Sequence, residues 1–238
     1  MSQAITHRLL VRPKSLTDLA HDSIRQLIVA GELAMGAQLS EATLAAQLGI
    51  SKTPVREALL RLRVDGLIEI QPQRGTFVFS LTPRQVEEIC AFREVIEVSA
   101  VKLAIEARRP GLAKALQVNV REMALARKTA DWKAIRQLDE AFHEAIVEHC
   151  DNAYLKQAHQ LIASKIGALR ARLPEHDEQV DHCQQNHAVI LGLLREGRVT
   201  ATQRALALHI RDTLAAYRAA SNLTDAGEPA FAARGGPR

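Results

Sequence analysis

The stretch from Leu39 to Val78 constrains the fold more than any other part of this sequence. Its branched apolar residues recur at helical spacing on both sides of a Gly-Ile-Ser corner at residues 49–51. These positions are Leu44, Leu48, Val55, Leu59 and Leu62. Two short amphipathic helices that meet at such a tight corner are typical of a helix-turn-helix.

The second helix of this motif is predicted to begin after Ser51, whose hydroxyl can cap the first free backbone N–H groups. Pro54 fits in the first turn of that helix, where a missing N–H costs nothing. Beyond Gly66 the apolar period changes to two, and a second β-like run at residues 76–79 follows a turn at residues 73–75. The pattern predicts a winged helix-turn-helix with a basic wing tip.

The exposed face of the second helix and the wing tip carry the residues expected to contact double-stranded DNA. Ser51 and Thr53 offer N–H and hydroxyl donors to phosphate, and Lys52 adds a positive charge. Arg56, one turn further, can reach a base edge, and Arg74 can reach the backbone or the minor groove. Taken singly, each cation has a simpler interpretation as a solvated surface charge. Their combination on one such motif favours DNA binding.

The run Gly49-Ile50-Ser51-Lys52-Thr53-Pro54-Val55-Arg56-Glu57-Ala58-Leu59, with the Arg74-Gly75 wing, resembles the amino-terminal domain of the GntR family of bacterial transcription regulators. The resemblance implies that the recognition helix starts near Ser51. It also implies phosphate and base contacts for Ser51, Lys52, Thr53 and Arg56, and places Gly75 at the wing tip.

The remainder of the chain changes character after a hinge at Leu81-Thr82-Pro83. Long Ala/Leu/Glu/Arg segments follow, separated by caps, prolines and glycines, and no β-like run interrupts them. They predict six helices at about 83–107, 111–128, 131–149, 152–172, 178–196 and 199–220, which would form an antiparallel bundle. We therefore predict a mainly α fold with a winged helix at residues 1–80, an all-α domain at 81–222 and a disordered tail at 223–238.

The cysteines and the apolar runs exclude several other classes of protein. Cys90, Cys150 and Cys183 are far apart and lack CxxC spacing, which argues against a disulfide framework or a cysteine-based zinc knuckle. They are expected to be small buried apolar residues. No apolar run approaches the ~20 residues needed to span a membrane, and residues 1–13 lack the apolar region of a signal peptide. A cytoplasmic protein without a membrane partner is expected.

The predicted bundle contains a cluster of polar residues on inward faces. Asp139 and His143 are four residues apart on one helix, and His187 and His209 lie on the apolar stripes of two others. A single histidine on an apolar face is usually a satisfied core residue. Burying four such groups without a partner would cost several kcal/mol each. We predict that they bind one divalent transition metal per chain: zinc first, with nickel, cobalt, iron or manganese as alternatives.

The spacing Asp139-x3-His143, then His187, then His209, resembles the FCD ligand-binding domain of the FadR subfamily of GntR regulators. The six-helix count is similar to that of the vanillate-regulator branch. The resemblance implies a metal at these four residues, a small organic acid as effector, a homodimer, and control of the attached DNA-binding domain.

The sequence is compatible with two function classes. One is a metal-containing, carboxylate-responsive regulator that binds a palindromic operator as a homodimer, since one winged helix buries too little surface alone. The other is a hydrolase-like metalloenzyme built on the bundle. Arg93 has two interpretations as well: a second anchor for the effector, or a surface ion pair with Glu97 at i+4. Whether the regulator represses or activates stays open.

Overall fold

A computed structural model of the protein describes residues 13–173 and 177–222. The predicted disordered tail at residues 223–238 lies outside these described residues. The described chain divides into two compact units: residues 13–28 with 32–79, and residues 29–31 with 80–222. The predicted fold class, mainly α with a small sheet in the first unit, is confirmed.

The first unit is a winged helix-turn-helix. Its elements are α1 (Leu16–Val29), β1 (Gln38–Leu39), α2 (Glu41–Leu48), α3 (Lys52–Val64), β2 (Ile68–Gln71) and β3 (Gly75–Val78). The three strands form one antiparallel sheet in the order β1-β3-β2, with Gln71 opposite Gly75 at the wing tip. Ile24, Leu59 and Leu62 are buried in the core of this unit, as expected for the apolar faces of amphipathic helices.

The ends of α2 are set by a serine and a glycine, and Ser51 precedes α3. Gly49 ends α2 with φ of 66°, a left-handed conformation that glycine adopts without steric cost. Ser40 caps α2 by accepting a hydrogen bond from the Thr43 N–H. Ser51 occupies the same position before α3, but its hydroxyl makes no capping hydrogen bond, so the predicted cap is wrong. Ser51 is exposed, and water can satisfy the first N–H groups of α3 instead.

The second unit is all-helical within the described residues. Its elements are α4 (Pro83–Lys128), α5 (Trp132–Glu148), α6 (Ala153–Arg170), α7 (Asp177–Arg195) and α8 (Val199–Asn222). Thr82 starts α4 with a capping box that includes Gln85, as the Thr82-Pro83 pair predicts. A buried apolar core joins these helices, with Leu116 on α4, Phe142 on α5, Ile190 on α7 and Leu206 on α8 among its members.

The predicted break between the first two bundle helices is a kink rather than a loop. Arg108 has non-helical angles, with φ of −140° and ψ of 31°, and α4 continues on both sides of it. Pro110 lies two residues further, where its ring and missing N–H are tolerated because a helical segment is restarting. Every helix in the ranges 13–173 and 177–222 is too short or too polar to span a bilayer.

Candidate metal centre and recognition helix

Three imidazoles from three helices meet inside the second unit. His143 on α5, His187 on α7 and His209 on α8 are all buried. The Nε2 atom of His209 lies 3.2 Å from that of His143 and 3.3 Å from that of His187. The ring of His187 stacks on Phe142, with 3.7 Å between ring centroids, which fixes its orientation. The convergence predicted from helical spacing is therefore present.

Asp139 adds an oxygen donor to the same point. Its Oδ1 atom lies 3.4 Å from His187 Nε2 and 3.9 Å from His143 Nε2. Its other oxygen pairs with the guanidinium of Arg170 on α6. Three of the four residues predicted as ligands have donor atoms within 4.8 Å of one another: Asp139, His187 and His209. The fourth, His143, is outside that group, although its Nε2 lies close to His209.

The spacing of these atoms fits a bound transition metal. Ligand atoms at about 2.0–2.1 Å from a tetrahedral zinc ion would be about 3.3–3.4 Å from one another. Four of the six separations between these atoms run from 3.2 to 3.9 Å. One ion can therefore be held by Asp139, His187 and His209, and His143 can join them if its ring moves toward Asp139. The donor set of imidazole nitrogens and one carboxylate oxygen suits zinc and its neighbours.

The protonation states of the three histidines and of Asp139 also suit the binding of a cation. Burial lowers the pKa of His143, His187 and His209 to about 3 each, so their imidazoles are neutral at pH 7 and can present lone pairs. Burial alone would raise the pKa of Asp139, but the Arg170 guanidinium helps to hold it well below the usual range. Asp139 is consequently an ionised oxygen donor.

Glu97 on α4 orients the ring of His143 by contacting Nδ1, the ring nitrogen that faces away from the other donors. Its Oε2 atom lies 2.6 Å from His143 Nδ1. Burial would raise the pKa of Glu97, but Arg93 and His143 lower it well below its usual value, so the carboxylate accepts and Nδ1–H donates. The lone pair of His143 is then on Nε2, the atom that faces the other donors. A carboxylate behind a histidine is the usual support of a metal ligand.

Arg93 is buried beside Glu97, behind His143, and does not lie at the surface. Its Nε donates to Glu97 Oε1 at 2.7 Å, and the exposed fractions of the two side chains are 1% and 0%. The predicted i+4 pair is present, but its expected surface location is wrong because α4 turns this face into the bundle. Among the described residues, Nη1 and Nη2 of Arg93 have no hydrogen-bond partner.

Cys183 is a site residue that the sequence interpretation missed. Its Sγ lies 3.2 Å from Asp139 Oδ1 and 3.8 Å from His187 Nε2. Cys183, Asp139, His187 and His209 have donor atoms within 4.8 Å of one another, a group that could hold a metal ion. The Cys183-x3-His187 spacing on one helix could have revealed it. Cys90 and Cys150 are buried as expected, but Cys183 is only partly buried.

A pocket of about 740 Å³, including space open to solvent, reaches the centre. Asp139, Cys183 and His209 belong to its lining. An apolar part of the wall consists of Met123, Trp132, Ile135, Leu173 and Val180. Arg136 and Arg170 are the arginines of this lining, and Arg93 is not part of it.

The residues proposed for DNA contact are exposed on the first unit. Ser51 precedes α3, and Lys52, Thr53 and Arg56 lie on its first turns. At the wing tip, Arg74 lies between β2 and β3, and Gly75 begins β3. Arg56 forms a forked pair with Glu41 on α2, with 2.8 Å from Nη2 to Oε2 and 3.0 Å from Nε to Oε1.

Comparison with known families fits both units. Residues 16–78 match the family described as bacterial regulatory proteins, gntR family, and residues 88–212 match the FCD domain. The chain belongs to the GntR family of transcription regulators and carries an FCD domain. The FCD match includes Asp139, His143, His187 and His209.

Individual relatives agree with this membership. An HTH-type transcriptional regulator of Streptomyces ambofaciens is 32% identical over 191 residues, which cover 79% of each chain. The transcriptional repressor RspR of Escherichia coli K12 is 25% identical over 189 residues, covering 79% of this chain and 83% of RspR. The solved structure of E. coli McbR/YncC superimposes with a TM-score of 0.79 at 27% identity, covering 88% of this chain and all of McbR. The chain is a transcription regulator and not an enzyme, which excludes the metalloenzyme alternative.

Proposed function

We propose that this regulator binds an operator through α3 and the wing, and that a metal and a small organic acid in the bundle control that binding. The observation that carries the proposal is the convergence of three imidazoles and one carboxylate beside a pocket, which Asp139 and His209 line, in the same chain as a winged helix. The four members are Asp139, His143, His187 and His209.

DNA binding by the first unit is supported by its exposed donors. The hydroxyl of Ser51 makes no capping hydrogen bond, so it is available to a phosphate together with Lys52 and Thr53 at the positive end of α3. Arg56 can exchange its exposed pair with Glu41 for a base edge, because ion pairs in water are weak. Arg74 and Gly75 would bring the wing tip to the backbone or minor groove.

Metal binding by Asp139, His143, His187 and His209 is supported by donor spacing, neutral imidazoles and the Glu97 carboxylate behind His143. Zinc fits this mixture of nitrogen and oxygen donors best, and nickel, cobalt, iron and manganese are the alternatives. A bound divalent ion would supply Lewis-acid attraction for an oxygen of the effector.

The effector we propose is a small organic acid with an apolar body. Its carboxylate would approach the side of the centre that Asp139 and His209 expose to the pocket, and its body would contact the wall around Trp132 and Ile135. Arg93 is our candidate for a second anchor, since two buried donors without partners are costly and an anion would satisfy them. Because Arg93 lies outside the pocket lining, the effector would reach it only when the packing beside the centre opens.

Coupling to DNA would pass along α4. Glu97 and Arg93 lie on this helix, which begins at Pro83, directly after the winged helix unit. An effector that changes the contacts of Arg93 or Glu97 therefore acts on the helix that carries the linker. A preference of about 1 to 3 kcal/mol for one arrangement would change DNA affinity about 5- to 150-fold.

The assembly we propose is a homodimer on a palindromic operator, with half-sites about one helical turn apart or closer. One winged helix offers too little contact surface for tight and specific binding, and two-fold symmetry doubles it. Sedimentation of the full chain at micromolar concentration should give a dimer; a monomer in both the presence and absence of zinc would contradict this.

The test of the whole proposal combines selection and metal analysis. The wild-type protein should select a palindromic sequence from random duplexes, and purified protein should contain about one divalent ion per chain. A thermal-shift screen of small carboxylates should find stabilising compounds with metal present and lose them after chelation. Selection of no sequence, or melting that a chelator leaves unchanged, would refute the corresponding half of the proposal.

A further inference from the structure

We propose that the thiolate of Cys183 is a ligand of the bundle metal, so that the centre has a sulfur donor beside its imidazoles and carboxylate. This inference rests on the proposed metal site and adds a donor of a different chemical class to it. It starts from a thiol that is partly buried and surrounded by polar donors.

The distances place sulfur in the coordination sphere. The group of four donors that contains Cys183 also contains Asp139, His187 and His209. With Zn–S of about 2.3 Å and Zn–N of about 2.0–2.1 Å, a tetrahedral zinc ion held by such a group separates sulfur from nitrogen by about 3.6 Å. Cys183 Sγ lies 3.8 Å from His187 Nε2 and 3.2 Å from Asp139 Oδ1. The thiol now donates to the Asp139 carboxylate, so both groups already point to the same place.

Helix geometry keeps the sulfur there. Cys183 and His187 are one turn apart on α7, so the same helix face presents both donors. Phe142 fixes the ring of His187 by stacking, which leaves Cys183 beside a stationary neighbour. The other cysteines differ in their surroundings: Cys150 lies in the apolar core, and its Sγ donates to the Asn152 carbonyl at 3.6 Å.

Sulfur would change the chemistry of the site in two ways. A thiolate is a soft ligand, so it favours zinc and cobalt over manganese or magnesium, which prefer oxygen. Cys183 also lines the pocket, where reagents can reach it, and metal ligation would occupy the lone pairs that an alkylating reagent needs. Bound metal should therefore protect this cysteine.

The experiment replaces the native metal of the full-length protein with Co²⁺, whose bond to a thiolate gives an intense near-ultraviolet charge-transfer band. Wild-type protein should bind about one equivalent and show the band. Cys183→Ala should lose the band and bind Co²⁺ at least ~10-fold more weakly, since even the outer partners of metal ligands matter by about that factor. The matched control Cys150→Ala should keep the band and the affinity. Alkylation of Cys183, followed by peptide mass spectrometry, should slow when Zn²⁺ is present.

The possible failures are distinguishable. One equivalent of Co²⁺ without the band in wild-type protein would overturn sulfur ligation and leave the metal site standing. A band that persists in Cys183→Ala would do the same. No uptake of Co²⁺ would defeat the metal site and this inference together. The wild-type spectrum decides the matter even if the alanine variant fails to fold, which circular dichroism would reveal.

Discussion

Two arginine–glutamate pairs in this protein have nearly the same length and opposite surroundings. Arg56 on α3 pairs with Glu41 at 2.8 Å, and their side chains are 64% and 33% exposed. Arg93 on α4 pairs with Glu97 at 2.7 Å, and their side chains are 1% and 0% exposed. The first pair belongs to the unit that would contact DNA, and the second supports His143 in the bundle.

Solvent exposure determines how much free energy is needed to separate each pair. The exposed pair adds little to folding, so Arg56 can leave Glu41 for a phosphate or base at small cost. The buried pair cannot lose one partner without leaving an uncompensated charge in the interior. Substitutions in α3 should consequently act on DNA affinity, and substitutions around the metal centre should act on stability and metal content.

The largest effect is expected from removing a metal ligand. His187→Ala and His209→Ala should each lose most of the bound metal, because the centre depends on both imidazoles. Metal at about 1,000 times its dissociation constant stabilises the folded state by ~4 kcal/mol, and that contribution would disappear. Elemental analysis and thermal melting with and without a chelator measure both effects.

The control for these variants is His182→Ala. His182 lines the same pocket, but it pairs with Asp212 and does not reach the cluster. It should keep stoichiometric metal, and all three variants should keep DNA binding without effector. If the histidines are only core residues, wild-type protein will contain no stoichiometric ion and the chelator will leave its melting temperature unchanged.

Breaking the buried pair should have the next largest effect. Glu97→Ala leaves the Arg93 charge without a partner in the interior and should lower the free energy of unfolding by ~3–5 kcal/mol. It should also weaken metal binding about 10- to 100-fold, because His143 loses its orienting carboxylate. Urea unfolding and competition with a chelator measure the two quantities.

The exposed pair Arg84–Glu88 on the same helix provides a matched control. It has the same i,i+4 spacing and a 3.0 Å contact between Nε and Oε1. Glu88→Ala should leave both unfolding and metal affinity unchanged within error. Equal effects of Glu88→Ala and Glu97→Ala would show that burial of the ion pair does not determine its contribution to stability or metal binding.

Arg56→Ala tests the opposite side of the comparison. It should weaken binding to the selected operator about 5- to 150-fold if Arg56 reads a base, without a measurable change in unfolding. Lys52→Ala should weaken all duplexes alike and lower the salt dependence by about one unit, as for the loss of one phosphate contact. Fluorescence anisotropy at several salt concentrations separates the two roles. Wild-type affinity in both variants would refute α3 as the recognition helix.

The smallest effect concerns the serine and threonine that precede α3 and α4. Thr82→Ala removes a capping box and should cost ~1 kcal/mol of stability. Ser51→Ala removes no capping hydrogen bond, so it should leave unfolding nearly unchanged and weaken DNA binding slightly. A stability loss in Ser51→Ala as large as that in Thr82→Ala would contradict the observed difference in capping.

Local patterns predicted most of the fold. The Gly49 corner, the wing and the Thr82-Pro83 helix start depend on neighbours within a few residues, and the structure contains all three. The meeting of His143, His187 and His209 followed from their apolar faces, because a polar group on such a face must be directed inward.

Properties that depend on distant parts of the chain were not visible in the sequence. The burial of Arg93 requires that α4 turn this face into the bundle, which no local pattern records. The role of Glu97 depends on a histidine 46 residues away. Cys183 is different, because its i+4 spacing from His187 is local, but CxxC spacing alone does not indicate it.

The kink at Arg108 divides α4 into two segments that can tilt relative to each other. The segment from Pro83 to Arg108 is 25 residue steps long, or about 38 Å at ~1.5 Å per residue. A tilt of about 5° at the kink would move its amino end by about 3 Å, a displacement similar to the separation of neighbouring base pairs along DNA. The same tilt would move Glu97, about 17 Å from Arg108 along the helix, by roughly 1.4 Å, so the amino end of α4 moves a little more than twice as far as the part beside the metal centre.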